Sequence, residues 1–392
     1  MKLLVVSHPC VTAVNQALFG DVARLSGWTV DLLVPASWNS EYARNVQPSR
    51  WEGFEGQIHR CPVWGSGNIP LHFYKSFLTR MMRKVDPDLI YVHHEPYGLA
   101  TAQIYLANSL TRSVPIGFYA AQNIMKRYPV PFRWFESMVF RSSDFSFPVT
   151  QGALEMLRQK GYEGSAEVLP LALDEKVYHP RPGWAQDQRK KLDIASDTFC
   201  FGYLGRFVEE KGLLTLIRAA ATLPKGNWRC LFVGGGPLEE VMHRELAASG
   251  LTEHVRFYGV VPHEEVPGWL SLFDVLMLPS ETRNNWKEQF GRVIVEANAC
   301  ETAVIGTDCG EIANVLSSTG GGTLVQEANA AALAGAMNEM LTNPEKARQL
   351  GVTGARSARE CYGQERVASQ FIQALDRATS AQTATRSSKR GC

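Results

Sequence analysis

The chain has 392 residues, 45% of them hydrophobic and 20% charged, which is more than one core uses and enough for two. Lys and Arg number 40 against 39 Asp and Glu, so the net charge is +1; this excludes a global field for nucleic acid and requires any anionic ligand to be held locally. Eight scattered cysteines without a CxxC pair, and no histidine at metal-ligand spacing, exclude a disulfide scaffold and a local metal motif and fit a reducing compartment, so no metal or cofactor is expected.

In chain order, short apolar runs rich in β-formers appear at "KLLVVS" (from residue 2), "TVDLLVP" (29), "DLIYVHH" (88), "PIGFYAA" (115) and "FSFPVT" (145). Ser7 and His8 end the first run too early for a signal peptide, and no later run approaches a membrane span, so the expected location is cytoplasmic. A second series follows: "FCFGYLG" (199–205), "RCLFVGGG" (229–236), "HVRFYGV" (254–260), "DVLMLPS" (274–280) and "TAVIGTD" (302–308). Apolar strands separated by helix-length crossovers predict parallel sheets covered on both faces. The proline- and charge-rich "YHPRPGWAQDQRKKLDIASD" between the series suits a connection.

The expected architecture is α/β, with two doubly wound Rossmann-like domains, 1–178 and 179–362, facing a central cleft. Residues 363–379 have helical spacing, and 380–392 form a polar tail expected to be disordered. In such sheets ligands sit beyond the carboxyl ends of strands, so the residues that follow the strands carry the information.

After "FCFGYL" comes "GRFVEEKG", with Arg206 and Lys211 at a strand end. A guanidinium fork and an ammonium point charge so placed suit a diphosphate; the alternative is a solvated loop in which Lys211 pairs with Glu209 or Glu210. Three glycines in "LFVGGGP" allow close backbone approach or a tight turn, but their spacing is not GxGxxG, which argues against a nicotinamide dehydrogenase. Main chain near Val261, in "FYGVVPHEEV", is placed to meet a nucleobase edge.

The stretch "EQFGRVIVEA" has Gln289, Phe290 and Gly291 at the first turn of a helix, where free NH groups favour an anion or sugar oxygens, and Glu288 just before them. Glu288 can accept bonds from hydroxyls. Glu296 stands among apolar neighbours, and either an ion pair with Arg292 four residues back or a ribose diol would compensate its burial.

Together these residues resemble the family 4, or group 1, glycosyltransferases, retaining enzymes of the GT-B fold that use nucleotide-diphosphate sugars. "GYLGRFVEEKG" is similar to the family's diphosphate-binding segment and "EQFGRVIVEANACETAVIGTDCGEI" to its signature. The resemblance implies that Arg206 and Lys211 stabilise the leaving diphosphate, that Glu288 with the backbone of Phe290 and Gly291 meets the donor sugar, and that Glu296 holds the ribose. It also implies metal independence and a C-terminal helix crossing back to the first domain. The expected partners are a nucleotide sugar and a glycan or lipid-linked acceptor in surface polysaccharide or glycolipid assembly. A sugar-nucleotide epimerase of the same fold and a noncatalytic sugar-nucleotide-binding protein are the alternatives.

The amino-terminal half departs from the family pattern. Its first loop, "SHPCVTAVNQALFGD", has no glycine before Gly20, and where relatives often place a histidine it offers Gln122 and Asn123, amides that bond hydroxyls but exchange no proton. His94 and Glu95 in "YVHHEPYG" are candidates for acceptor contact, and His94 has no partner at metal spacing. "KRYPVPFRWFESMVFR" (126–141) and "FYKSFLTRMMRK" (73–84) mix cations with aromatic residues, which suits either peripheral contact with an anionic membrane face or helices that bury their rings and let the cations reach water.

Overall fold

Both strand series form parallel sheets in the computed structural model, which describes residues 1–39 and 44–390, with side chains through 380. The chain divides into two units, Met1–Ala172 with the segment from Gln364 onward, and Leu173–Gly363. The boundary expected at 178/179 falls inside the second unit.

In the first unit the strands are β1 (Lys2–Val6), β2 (Thr29–Pro35), β3 (Ile58–Cys61), the short hairpin β4 (Val63–Trp64) and β5 (Phe73–Tyr74), β6 (Leu89–Val92), β7 (Ile116–Ala120), β8 (Phe145–Pro148) and β9 (Ser165–Ala166). Seven of them pair in parallel in the order β3-β2-β1-β6-β7-β8-β9, so the order reverses between β1 and β6. Continuous apolar runs form these strands because helices cover both faces: Leu3 and Val5 pack to one side with Phe19 and Phe371, Leu4 and Val6 to the other with Ile104 and Phe118. The helix Gln364–Arg390 belongs to this unit through Val367, Phe371 and Leu375, all fully buried at helical spacing. It continues through the segment expected as a polar tail as far as Arg390, and residues 391–392 lie outside the described residues.

The second unit contains β10 (Phe199–Arg206), β11 (Trp228–Gly235), β12 (Val255–Tyr258), β13 (Val275–Leu278), β14 (Ala303–Thr307) and β15 (Gly322–Val325), ordered β12-β11-β10-β13-β14-β15. Here the order reverses between β10 and β13. Its core is built from Phe201, Tyr203, Phe232, Met277 and Ile305 against helices carrying Leu216 and Met337. Seven cysteines are described and all are free, six of them buried. Among the described residues no helix is long and apolar enough to cross a membrane.

Candidate functional site

The reversal of strand order in the second unit leaves a crevice beyond the carboxyl ends of β10 and β13, the place where open α/β sheets bind ligands. Three loops converge there. β10 ends at Arg206, half-buried opposite Gly235 of β11, and its carbonyl accepts from the Tyr203 hydroxyl at 2.7 Å. A 3-10 turn (Glu209–Lys211) then leads into Gly212, whose φ of +64° and absent side chain are both required, since a Cβ would lie 1.9 Å from the Pro279 carbonyl oxygen. The loop after β10 is thereby laid against the loop after β13.

Lys211 does not pair with Glu209 or Glu210. Its Nζ donates to Glu288 Oε2 at 2.6 Å and sits 4.9 Å from the centre of the Trp286 ring. Ser280 Oγ donates to the same carboxylate oxygen at 3.1 Å. The third loop fixes the Glu288 main chain: the Glu311 amide donates to its carbonyl at 3.1 Å, and Gly310, at φ +60°, comes so close that a Cβ would stand 2.1 Å from that oxygen. Beside this pair, Glu281 accepts from Thr215 Oγ1 at 2.5 Å and from Arg283 at 2.8 Å. Sequence reasoning passed over Glu281 and Trp286, although both stand in the loop after a strand.

The helix Arg292–Ala299 starts from Gly291 in the left-handed conformation (φ +76°). Gln289 is exposed, and the Phe290 ring is buried edge-on against Tyr362 with centroids 5.7 Å apart. Glu296 is 9% exposed and carries the ion pair named as its alternative: Arg292 Nε lies 3.0 Å from Oε1, and the Tyr178 phenol bonds to the same carboxylate. Burial first, then the Glu296 charge, pushes the Tyr178 pKa far up, so the phenol is a fixed donor. The glycine run is packing: Gly234 and Gly236 lie where side chains would strike the main chain of Gly205 and Phe207. Val261 is half-buried beyond β12, next to Val260, which is 70% exposed.

In the first unit, β1 and β6 end side by side. Ser7 Oγ lies 3.1 Å from His93 Nδ1, and the His8 amide donates to His94 Nε2 at 3.0 Å. His94 was expected to have no partner at metal spacing, and the fold supplies what the sequence spacing does not: one nitrogen each from His8, His72 and His94 lies within 4.8 Å of the others. The spacing rule reads only neighbours in sequence, whereas strand order joins these three. Glu95 accepts from the Ala121 amide at 2.9 Å, and burial pushes its carboxyl up to about 7 against the pull of that bond. Gln122 reaches the Tyr128 hydroxyl at 3.4 Å and takes the Ile124 amide at 3.3 Å; Asn123 beside it is half-buried. Tyr128 stacks on Tyr97 with centroids 4.1 Å apart and carries the Lys160 ammonium 4.4 Å from its ring centre, and Lys160 in turn pairs with buried Glu136.

The fold is GT-B. A sucrose-phosphate synthase from Thermosynechococcus elongatus superposes with a TM-score of 0.74 at 21% identity, over 97% of this chain and 100% of the other. Anabaena Alr3699/HepE in complex with UDP gives 0.74 at 18% identity, over 96% and 100%. Residues 185–356 match the family model described as glycosyl transferases group 1. It is 30% identical over 198 residues to a GDP-mannose-dependent alpha-(1-6)-phosphatidylinositol monomannoside mannosyltransferase of Mycolicibacterium smegmatis, covering 50% of this chain and 52% of the relative. To the alpha-D-kanosaminyltransferase of Streptomyces kanamyceticus it is 24% identical over 332 residues, 79% of this chain and 80% of the relative. The mannosyltransferase is thus one of several curated relatives of which the chain spans about half the length.

Proposed function

We propose that the protein transfers a sugar, with retention of anomeric configuration and without a catalytic metal, from a nucleoside-diphosphate sugar to a hydroxyl acceptor. The observation that carries this is the Lys211–Glu288 pair at the β10/β13 reversal, a cation and a carboxylate held by three converging loops. Breaking the bond between sugar and diphosphate places charge on the leaving phosphate, and Arg206 with Lys211 neutralises it in the transition state. Glu288, released from Lys211 as the diphosphate takes that ammonium, accepts from sugar hydroxyls. The amides of Gln289, Phe290 and Gly291 meet the same region, Glu296 accepts from the ribose, and the main chain near Val261 meets the base. The leaving phosphate takes the acceptor proton. His94, Glu95, Gln122 and Asn123 contact the acceptor.

The acceptor class is a glycan or glycolipid, in line with the phosphatidylinositol mannoside named for one relative. A lipid-linked acceptor also suits the first unit's surface. The helices Leu78–Val85, Leu99–Ser109 and Phe132–Ser142 pack side by side and expose Phe77 (84%) and Trp134 (62%) among Lys75, Arg80, Arg83, Lys84 and Arg133, which fits peripheral contact with the inner membrane face from the cytoplasm.

The test is a thermal-shift panel of UDP, GDP, ADP and their sugar conjugates on wild type and Lys211→Ala, followed by product analysis with the stabilising donor. Stabilisation of wild type that is lost in the variant, with donor hydrolysis or transfer, supports the reading. Interconversion of donor epimers without acceptor would make the protein an epimerase, and binding without turnover a noncatalytic receptor.

A further inference from the structure

The reversal point of the first unit's sheet carries a cluster of three histidines, of which the transferase reading uses only His94, as an acceptor contact. His8 follows β1, His94 follows β6, and His72 comes from the loop before β5. Their ring centroids are 4.8 Å (His8–His94), 5.2 Å (His72–His94) and 5.6 Å (His8–His72) apart. Trp38 covers the group, 4.8 Å from His8 and 4.9 Å from His72. His72 and His94 are 1% and 2% exposed, and His8 is half-buried.

His8 Nδ1, His72 Nε2 and His94 Nδ1 are all buried without a hydrogen-bond partner. Buried polar atoms are rarely left unpaired, because the lost hydration is not replaced, and three in one place point to a shared partner. A transition cation satisfies several imidazole lone pairs at once. We propose that His8, His72 and His94 bind one divalent transition cation of the zinc class.

Burial lowers the basicity of all three rings, and for His8 and His94 the neighbouring imidazoles lower it further, so each is neutral and able to coordinate near pH 7. His72 is oriented as metal-bound imidazoles usually are: its Nδ1 donates to the Ile69 carbonyl at 2.9 Å, leaving the Nε2 lone pair for the cation. His94 is held in the other sense, with Nε2 accepting from the His8 amide at 3.0 Å and the proton therefore on Nδ1. Coordination through Nδ1 moves that proton to Nε2 and breaks the bond from the His8 amide, with no net proton released from this ring.

Three nitrogens no more than 4.8 Å apart share a point at most about 2.8 Å from each, so reaching a metal–nitrogen distance of about 2.1 Å moves each ring inward by about 0.7 Å or less. Bound metal would cross-link the end of β1, the loop before β5 and the end of β6. Among the described residues the protein ligands then number three, which leaves a position for water on the half-buried His8 side. The proposal is independent of the donor residues, which belong to the second unit.

The experiment treats the full-length protein with a chelator, removes the chelator, and titrates with Co2+ and Zn2+ at pH 7.5. The expected result is one equivalent bound with a dissociation constant below about 10 µM, a visible Co2+ absorption band, and a raised thermal midpoint. His72→Gln, and separately His94→Gln, should weaken binding by at least about 100-fold. His59→Gln, which alters a histidine bonded elsewhere to Asp31, should leave it unchanged. Circular dichroism and the metal-free midpoint verify that each variant is folded, so loss of binding is not read from a collapsed chain. Absence of stoichiometric binding to wild type, or binding that survives His72→Gln, overturns the site and leaves the cluster as a hydroxyl- or water-bonding group.

Discussion

Lys211 Nζ and Glu288 Oε2, 77 positions apart in sequence, meet at 2.6 Å where the strand order of the second sheet reverses. A diphosphate that recruits Lys211 has to displace this carboxylate. Lys211→Ala should therefore weaken UDP or GDP binding by roughly 10- to 100-fold, the loss expected for one charge-assisted contact in a part-buried site. Glu288→Gln removes the competing charge and should tighten binding of the free nucleotide by several-fold, on the order of 1 kcal/mol. The same change should depress sugar transfer by at least about 100-fold, because the sugar hydroxyls lose their acceptor. Calorimetry on both variants decides this, and equal nucleotide affinity in Lys211→Ala and wild type would remove the donor assignment.

Glu296 raises a choice between structural and ligand roles, since Arg292 and Tyr178 already hold its carboxylate. Arg292 is largely exposed, so Arg292→Ala should cost less than about 1 kcal/mol and leave the nucleotide-induced thermal shift intact. Glu296→Gln should cost about 1–2 kcal/mol through the weakened bond to Tyr178 and should also shrink the shift if the ribose binds there. A shift that survives Glu296→Gln at full size would make the residue purely structural.

The sequence showed the central strands because both faces of β1, β6, β10, β13 and β14 are buried, which makes them continuous apolar runs. It did not show β3, where His59 and Arg60 interrupt the run, or the two-residue β9, or β15 in "GTLV", where Leu324 is 45% exposed; all three lie at sheet edges. Lys211 and Glu288 were each legible as residues following strands. Their pairing was not, because it follows from which strands become neighbours. The convergence of His8, His72 and His94 was hidden for the same reason. The ion pair of Arg292 with Glu296 lies within one helical turn and was therefore foreseeable as an alternative.

Gly310 tests how far the Glu288 main chain depends on close backbone approach. Alanine there adds a Cβ 2.1 Å from the Glu288 carbonyl oxygen at a φ of +60°, so both contact and conformation oppose it. Gly310→Ala should destabilise the second unit by about 2–4 kcal/mol and abolish transfer. Gly250→Ala supplies the control, because its φ of +66° is equally unfavourable but no atom lies within 4 Å; it should cost about 1 kcal/mol. Urea unfolding measures both, and equal losses would show that the Gly310 contact relaxes.

Glu95 gives the first unit a defined pH dependence. Burial raises its folded-state pKa from 4.5 to about 7, so between these values the native state holds a proton that the unfolded chain has released. Its contribution to stability is fully present below about pH 4.5 and is lost as pH rises through about 7, worth on the order of 2–3 kcal/mol. Glu95→Gln keeps an oxygen for the Ala121 amide while removing the titration. Relative to wild type, the variant should therefore gain stability between pH 5 and pH 8 by that amount, measured as the difference in unfolding free energy at the two pH values. A parallel pH dependence in variant and wild type would mean that water reaches the carboxyl and its pKa is ordinary. A difference of the opposite sign would mean that the ionised form is the one the fold prefers, with Lys160 outweighing burial.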